Sequence, residues 1–107
     1  MSVNNPSQST AGLLDGVTIY LNTLNDEDSI DKCLSSLNGQ KYDQLIVVDG
    51  SSTDNTVKIA KKYTDEVYVT QPGFINQLEA TFKKSKYKYI VGLEADITAP
   101  KDFIVNF

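Results

Sequence analysis

The chain contains no histidine, no arginine and no tryptophan, and it has a single cysteine. Without histidine there is no imidazole acid–base chemistry and no zinc site built on imidazole. Without arginine there is no guanidinium fork to clasp a phosphate, and all ten basic residues are lysines. Any metal must therefore be held by oxygen ligands, which selects hard cations such as Mg²⁺, Mn²⁺ or Ca²⁺. Cys33 has no second cysteine to pair with, so an internal disulfide is excluded and a reducing, cytoplasmic compartment is expected. No apolar run approaches the length of a membrane-crossing helix. The N-terminus lacks the basic-then-apolar order of a signal peptide. The net charge of −4 argues against a nucleic-acid partner.

What is present suits one small soluble domain. A chain of 107 residues can bury roughly two thirds of its unfolded surface. Its 40% hydrophobic and 22% charged content are ordinary for a globular protein. The most informative stretch is Tyr89-Ile90-Val91-Gly92-Leu93-Glu94-Ala95-Asp96. Its apolar part reads as a buried strand, and alternation puts Glu94 and Asp96 on the same side at its end. Two carboxylates there are costly unless a divalent cation or ligand hydroxyls offset the charge.

Residues 1–15 are polar and without period, and are expected to be a disordered leader ahead of a folded domain at 16–107. Val17 to Leu21 reads as a first strand ending at Asn22, followed by a polar turn in which Asn25 or Asp26 can cap a helix. That helix carries Ile30, Cys33, Leu34 and Leu37 on one stripe and ends at Gly39. Leu45-Ile46-Val47-Val48 is apolar without alternation, the signature of a strand covered on both faces. Asp49 closes it. Gly50 to Asp54 makes a turn, with Ser52 or Thr53 as cap of a helix that buries Ile59, Ala60 and Tyr63. Glu66 to Thr70 reads as a third, shorter strand, broken by Gln71-Pro72-Gly73. A third helix places Ile75, Leu78 and Phe82 on its apolar stripe and Lys83, Lys84 and Lys86 at its C-terminal end, where they complement the dipole.

The order β-α-β-α-β-α-β implies an open parallel sheet of about four strands with helices on both faces, a three-layer α/β fold. The strands then end on one rim, at Asn22, Asp49, Gln71 and Glu94. Ligands in such sheets bind at that rim, where the strand order reverses. Each polar residue there also has a plainer reading. Asp49 before Gly50 can simply cap a turn, and Glu94 and Asp96 can form a solvated loop edge. Asp54 reads as a first-turn helix residue and Cys33 as core. Tyr20, Tyr63, Tyr68 and Tyr89 read as packing residues.

The run Ile46-Val47-Val48-Asp49-Gly50-Ser51-Ser52-Thr53-Asp54-Asn55-Thr56 resembles the VVDDGSTDNT turn of family 2 glycosyltransferases. Val17 to Asp28 resembles that family's opening strand with its PTYNEE-like turn, and Leu93-Glu94-Ala95-Asp96 resembles its D-x-D motif in E-x-D form. The resemblance covers residues 17–104 and implies the GT-A, Rossmann-like nucleotide-sugar-binding half. It implies that Asp49 contacts the base and that Asn22, Thr23, Asn25 and Ser51 lie along the nucleotide. It implies further that Glu94 faces the ribose or sugar and that Asp96 holds Mg²⁺ or Mn²⁺. The partners so implied are a nucleotide-diphospho-sugar and an acceptor hydroxyl on a glycan, lipid or protein.

The chain differs from the family at four places. Asn22 stands for the usual Pro, and Gly50-Ser51 for the usual Asp-Gly. Gln77-Leu78-Glu79-Ala80-Thr81 stands where an ARNxG-like stretch is usual. The sequence ends eleven residues past Asp96, so the half carrying the acceptor site and base is expected to be missing and the isolated chain to transfer little sugar. Two rivals remain: a non-catalytic module that dimerises through an exposed sheet edge, and a receiver-like domain, which would need an acid after strand three and a fifth strand.

Overall fold

The structure is a computed structural model and describes residues 12–95. In chain order it contains β1 (Leu14–Thr23), α1 (Ile30–Ser35), β2 (Gln44–Asp49), α2 (Thr56–Ala60), β3 (Val67–Val69), α3 (Phe74–Lys84) and β4 (Tyr87–Glu94). The four strands form one parallel sheet in the order β3-β2-β1-β4. The chain steps outward from β1 to β3, then crosses back to pair β4 with the other side of β1. The expected architecture and element order are therefore observed, and the order reverses between β1 and β4.

β2 is buried along its whole length, as its unbroken apolar run requires. Alternation along β1 separates two faces. Val17, Ile19 and Leu21 join Leu45, Val47, Leu93 and Ala95 beneath α1 and α2; Ile30, Cys33 and Leu34 of α1, Leu37 of the turn after it and Ala60 of α2 complete the main core. Ile59 and Tyr63 pack at its margin. Truncating a fully buried member such as Leu21 to alanine costs about 2–5 kcal/mol. The opposite face carries Thr18, Tyr20 and Asn22 and is covered in part by α3.

Several local expectations are revised. β1 begins at Leu14, inside the stretch expected to be a leader, and Leu14 pairs with Tyr87; residues 1–11 lie outside the described residues. Ser29 flanks the start of α1 and makes no side-chain cap bond. Asp26 instead supplies its carbonyl to the Ser29 and Ile30 N–H groups at 3.1 and 2.9 Å. Asn55, not Ser52 or Thr53, flanks the start of α2.

The largest revision concerns α3. Its buried residues are Gln77 and Thr81, whereas Ile75 is 71% and Phe82 50% exposed. The apolar stripe lies roughly a third of a turn from the buried face at 100° per residue. The reason is what α3 sits on. Below it are the rim carbonyls of β1 and β2, and Gln77 Nε2 donates to Thr23 O and Val48 O, both at 3.0 Å. A polar surface needs a polar partner, so the amide wins over the apolar stripe.

Candidate functional site

A cleft of about 550 Å³ opens where the strand order reverses, lined by Tyr20 and Asn22 of β1, Gly92, Leu93 and Glu94 of β4, Ala95, Asp26 and Phe74. Parallel strands place their C-terminal ends on one lip, so residues far apart in sequence converge there. Register sets the detail: Tyr20 faces Gly92 and Asn22 faces Glu94 across the β1–β4 pair. Asn22 Oδ1 is buried and has no hydrogen-bond partner among the described residues. An unsatisfied buried acceptor costs about 1–3 kcal/mol, which a ligand N–H or O–H would recover. Asp26, Glu94 and this oxygen make the cleft rich in acceptors.

The other expected donor residues lie behind the cleft, in a hydrogen-bonded frame. Asp49 is fully buried. Its carboxylate accepts from the Thr23 hydroxyl at 2.7 Å, the Ser52 hydroxyl at 2.6 Å and the Ser52 N–H at 2.7 Å. Asn25 adopts a left-handed backbone with φ 53°, and its side-chain oxygen accepts from the Thr53 N–H at 2.9 Å. The Ser51 hydroxyl donates to Thr70 O at 2.6 Å. Of the expected set, Asn22 and Glu94 line the cleft, while Thr23, Asn25, Asp49 and Ser51 brace the loops around it. Asp96 lies outside the described residues.

The brace ties the loop after β1 to the turn after β2. The N–H groups of Asn25, Asp26 and Glu27 donate to Ser52 Oγ, Thr56 Oγ1 and Asp54 Oδ2 at 2.8, 2.8 and 3.2 Å. In return the Asn55 N–H donates to Glu27 Oε1 at 3.1 Å. Burial alone would raise the Asp54 pKa. Hydrogen bonds from the Thr56 hydroxyl and N–H and from the Glu27 N–H outweigh it and hold the carboxyl below the ordinary aspartate value. Asp54 is thus a loop staple that lies two residues before α2, not the first-turn helix residue expected of it.

Three lining residues were not singled out from sequence. Asp26 reads as a helix cap, yet its side chain turns back to accept from the Leu24 N–H at 2.9 Å, which leaves it at the mouth. Tyr20 reads as a packing residue, and Phe74 carries no motif. The only signal for them is position: Tyr20 lies two residues before Asn22, on the same face of β1, and Phe74 is the first residue of α3.

The donor chemistry fits a hard cation, since every polar group lining the cleft offers oxygen. Among the described residues, no three acidic or cysteine side chains cluster closely enough to form a complete cage. A cation there would need further oxygens, as magnesium-type ions commonly take from phosphate and water.

A parallel sheet with an acceptor-rich cleft at its switch point is the architecture of nucleotide-binding α/β proteins. The sequence pattern of Glycosyl transferase family 2 matches residues 18–106, and the chain belongs to that family. It is 28% identical over 109 aligned residues to the poly-beta-1,6-N-acetyl-D-glucosamine synthase of Staphylococcus aureus, an alignment covering 94% of this chain and 26% of the relative. The Staphylococcus epidermidis synthase of the same name is 28% identical over 97 residues, covering 83% of this chain and 24% of the relative. The chain thus spans about a quarter of the length of these relatives. In three dimensions it resembles the glucosyl-3-phosphoglycerate synthase of Mycobacterium tuberculosis crystallised with Mn²⁺ and UDP-glucose. The TM-score is 0.71 at 24% identity, covering 85% of this chain and 36% of that one. That likeness establishes the GT-A fold. No helix among the described residues is long and apolar enough to cross a membrane.

Proposed function

We propose that this chain forms the donor site of a glycosyltransferase, holding a nucleotide-diphospho-sugar through Mg²⁺ or Mn²⁺. The observation that carries this reading is the cleft at the β1–β4 switch point, with Asn22 Oδ1 buried there and without a hydrogen-bond partner among the described residues. Family membership supports it, as does the metal and UDP-sugar in the structural relative.

In this reading Glu94 accepts hydroxyls of the ribose or sugar, and Asn22 accepts one further N–H or O–H from the donor. Asp96, through its place in the E-x-D, is the cation ligand. Thr23, Asn25 and Ser51 border the nucleotide and hold the backbone that meets it. Asp49 serves the site by fixing the turn rather than by meeting the base, since its carboxylate is spent on Thr23 and Ser52. A cation held there would offset the diphosphate charge and favour its departure as a leaving group. Transfer to an acceptor hydroxyl of a glycan, lipid or protein belongs to the family-length protein. A cytoplasmic setting accords with the lone cysteine.

Calorimetric titration with UDP in the presence and absence of Mn²⁺ tests the reading. Binding should require the metal and weaken about tenfold or more in Glu94→Ala, the loss of hydrogen bonds to a charged group. The second reading, self-association, rests on β4, an edge strand among the described residues, with Tyr89 54% exposed. Absence of UDP binding together with concentration-dependent dimerisation in sedimentation would favour it.

A further inference from the structure

Tyr20 lies on the cleft face of β1 directly opposite Gly92. A Cβ added at Gly92 would sit 2.7 Å from both Cζ and Oη of Tyr20 and 3.1 Å from its Cε1. The Tyr20 ring therefore reaches across onto β4 and occupies the room a side chain at 92 would need. Space, not backbone conformation, is what calls for glycine there: Gly92 is absent from the left-handed glycines of the chain. The result is an aromatic surface held in the cleft, with Phe74 and Leu93 as further apolar lining and Asn22, Asp26 and Glu94 as polar lining.

That combination suits one kind of ligand group. A pyranose has an apolar C–H face that packs on an aromatic ring and a belt of hydroxyls that donates outward. A carboxylate at Asp26 or Glu94 can only accept, and Asn22 Oδ1 has no donor among the described residues. A flat base brings one or two N–H groups, too few for three acceptor side chains; a sugar ring brings several O–H groups.

We propose that Tyr20 is a specificity-determining residue that supports the sugar ring of the donor, and that Gly92 is small in order to seat it. The inference rests on the donor-site reading and adds the part of the cleft that the sugar occupies.

The test compares affinities for UDP and UDP-glucose, with Mn²⁺ present, in the wild type and in Tyr20→Phe, Tyr20→Leu and Gly92→Ala. Tyr20→Phe should keep the ratio of the two affinities within about twofold, because the ring remains. Tyr20→Leu should cut the contribution of the sugar roughly three- to tenfold with UDP binding unchanged, the value of an aromatic contact. Gly92→Ala, which displaces the ring, should act in the same direction. An unchanged ratio in Tyr20→Leu overturns the proposal, and so does an equal loss for UDP and UDP-glucose, while the donor-site reading survives either. Failure of the wild type to bind UDP with Mn²⁺ overturns both. If Tyr20→Leu does not fold, the wild type still decides. Irradiating aromatic protons should saturate the glucose ring protons more strongly than in Gly92→Ala, and equal saturation refutes the platform.

Discussion

Replacing Asp49 by asparagine separates two roles that the sequence leaves open. The carboxylate accepts three hydrogen bonds of 2.6–2.7 Å from Thr23 and Ser52 while fully buried. Asparagine has nearly the same shape but one acceptor oxygen. If that oxygen faces the Ser52 N–H, the amide nitrogen meets two hydroxyls that were donating. If it faces the hydroxyls, the amide N–H meets the Ser52 N–H head on. Either way at least one bond to a charged acceptor is lost, and each is worth about 1.5–3 kcal/mol. Asp49→Asn should therefore destabilise the chain by about 2 kcal/mol, and Asp49→Ala by more. For a domain of this size that lowers Tm by roughly 8–15 °C. Urea unfolding followed by circular dichroism measures it, with the midpoint moving and the slope unchanged. UDP affinity, measured well below the transition, should fall only modestly. The reasoning fails if stability stays within about 0.5 kcal/mol of wild type while UDP binding is lost, since the carboxylate would then face the ligand and not the turn.

Gln77→Ala removes both bonds from Nε2 to the rim carbonyls and should cost about 1–3 kcal/mol in the same assay; Gln77→Glu, which sets a carboxylate against two carbonyl oxygens, should cost more. A Cβ at Gly50 would lie 3.2 Å from the Gln77 amide carbon. Gly50→Asp, the residue usual in the family, should therefore destabilise wild type more than Gln77→Ala, a coupling of about 0.5–3 kcal/mol in a double-mutant cycle. The lowered Asp54 pKa has a definite sign. Its stabilisation is fully present above the ordinary aspartate pKa of 3.8 and is lost as pH falls through the lower folded value. The stability gap between wild type and Asp54→Asn should be widest near neutral pH and close below that value; a gap independent of pH would show that the carboxylate charge is not what staples the loops.

The separation of Asn22 and Glu94 from Thr23, Asn25, Asp49 and Ser51 shows where linear reading stops. All six sit at strand ends or in the turns beyond them, and in an extended chain neighbouring side chains simply alternate. Asn22 and Thr23 are adjacent, yet one lines the cleft and the other donates to Asp49. Which side becomes a site depends on what covers it: α3 lies over β1 and β2, and among the described residues the space beside it at the end of β4 is open. The exposure of Ile75 and Phe82 has the same origin, because periodicity locates an apolar stripe but not the surface that meets it.

The order of strands and helices, the parallel sheet, the buried second strand and the family are all legible in the amino-acid order. These follow from local periodicity, β-branched runs and turn motifs, all of which act over a few residues. Packing in three dimensions settles the rest: which acids bond within the frame and which line the cleft, why Gly50 and Gln77 go together, and that Tyr20 and Gly92 share one space. Those outcomes rest on contacts between residues as much as 72 positions apart, and close packing settles them only once the sheet has formed.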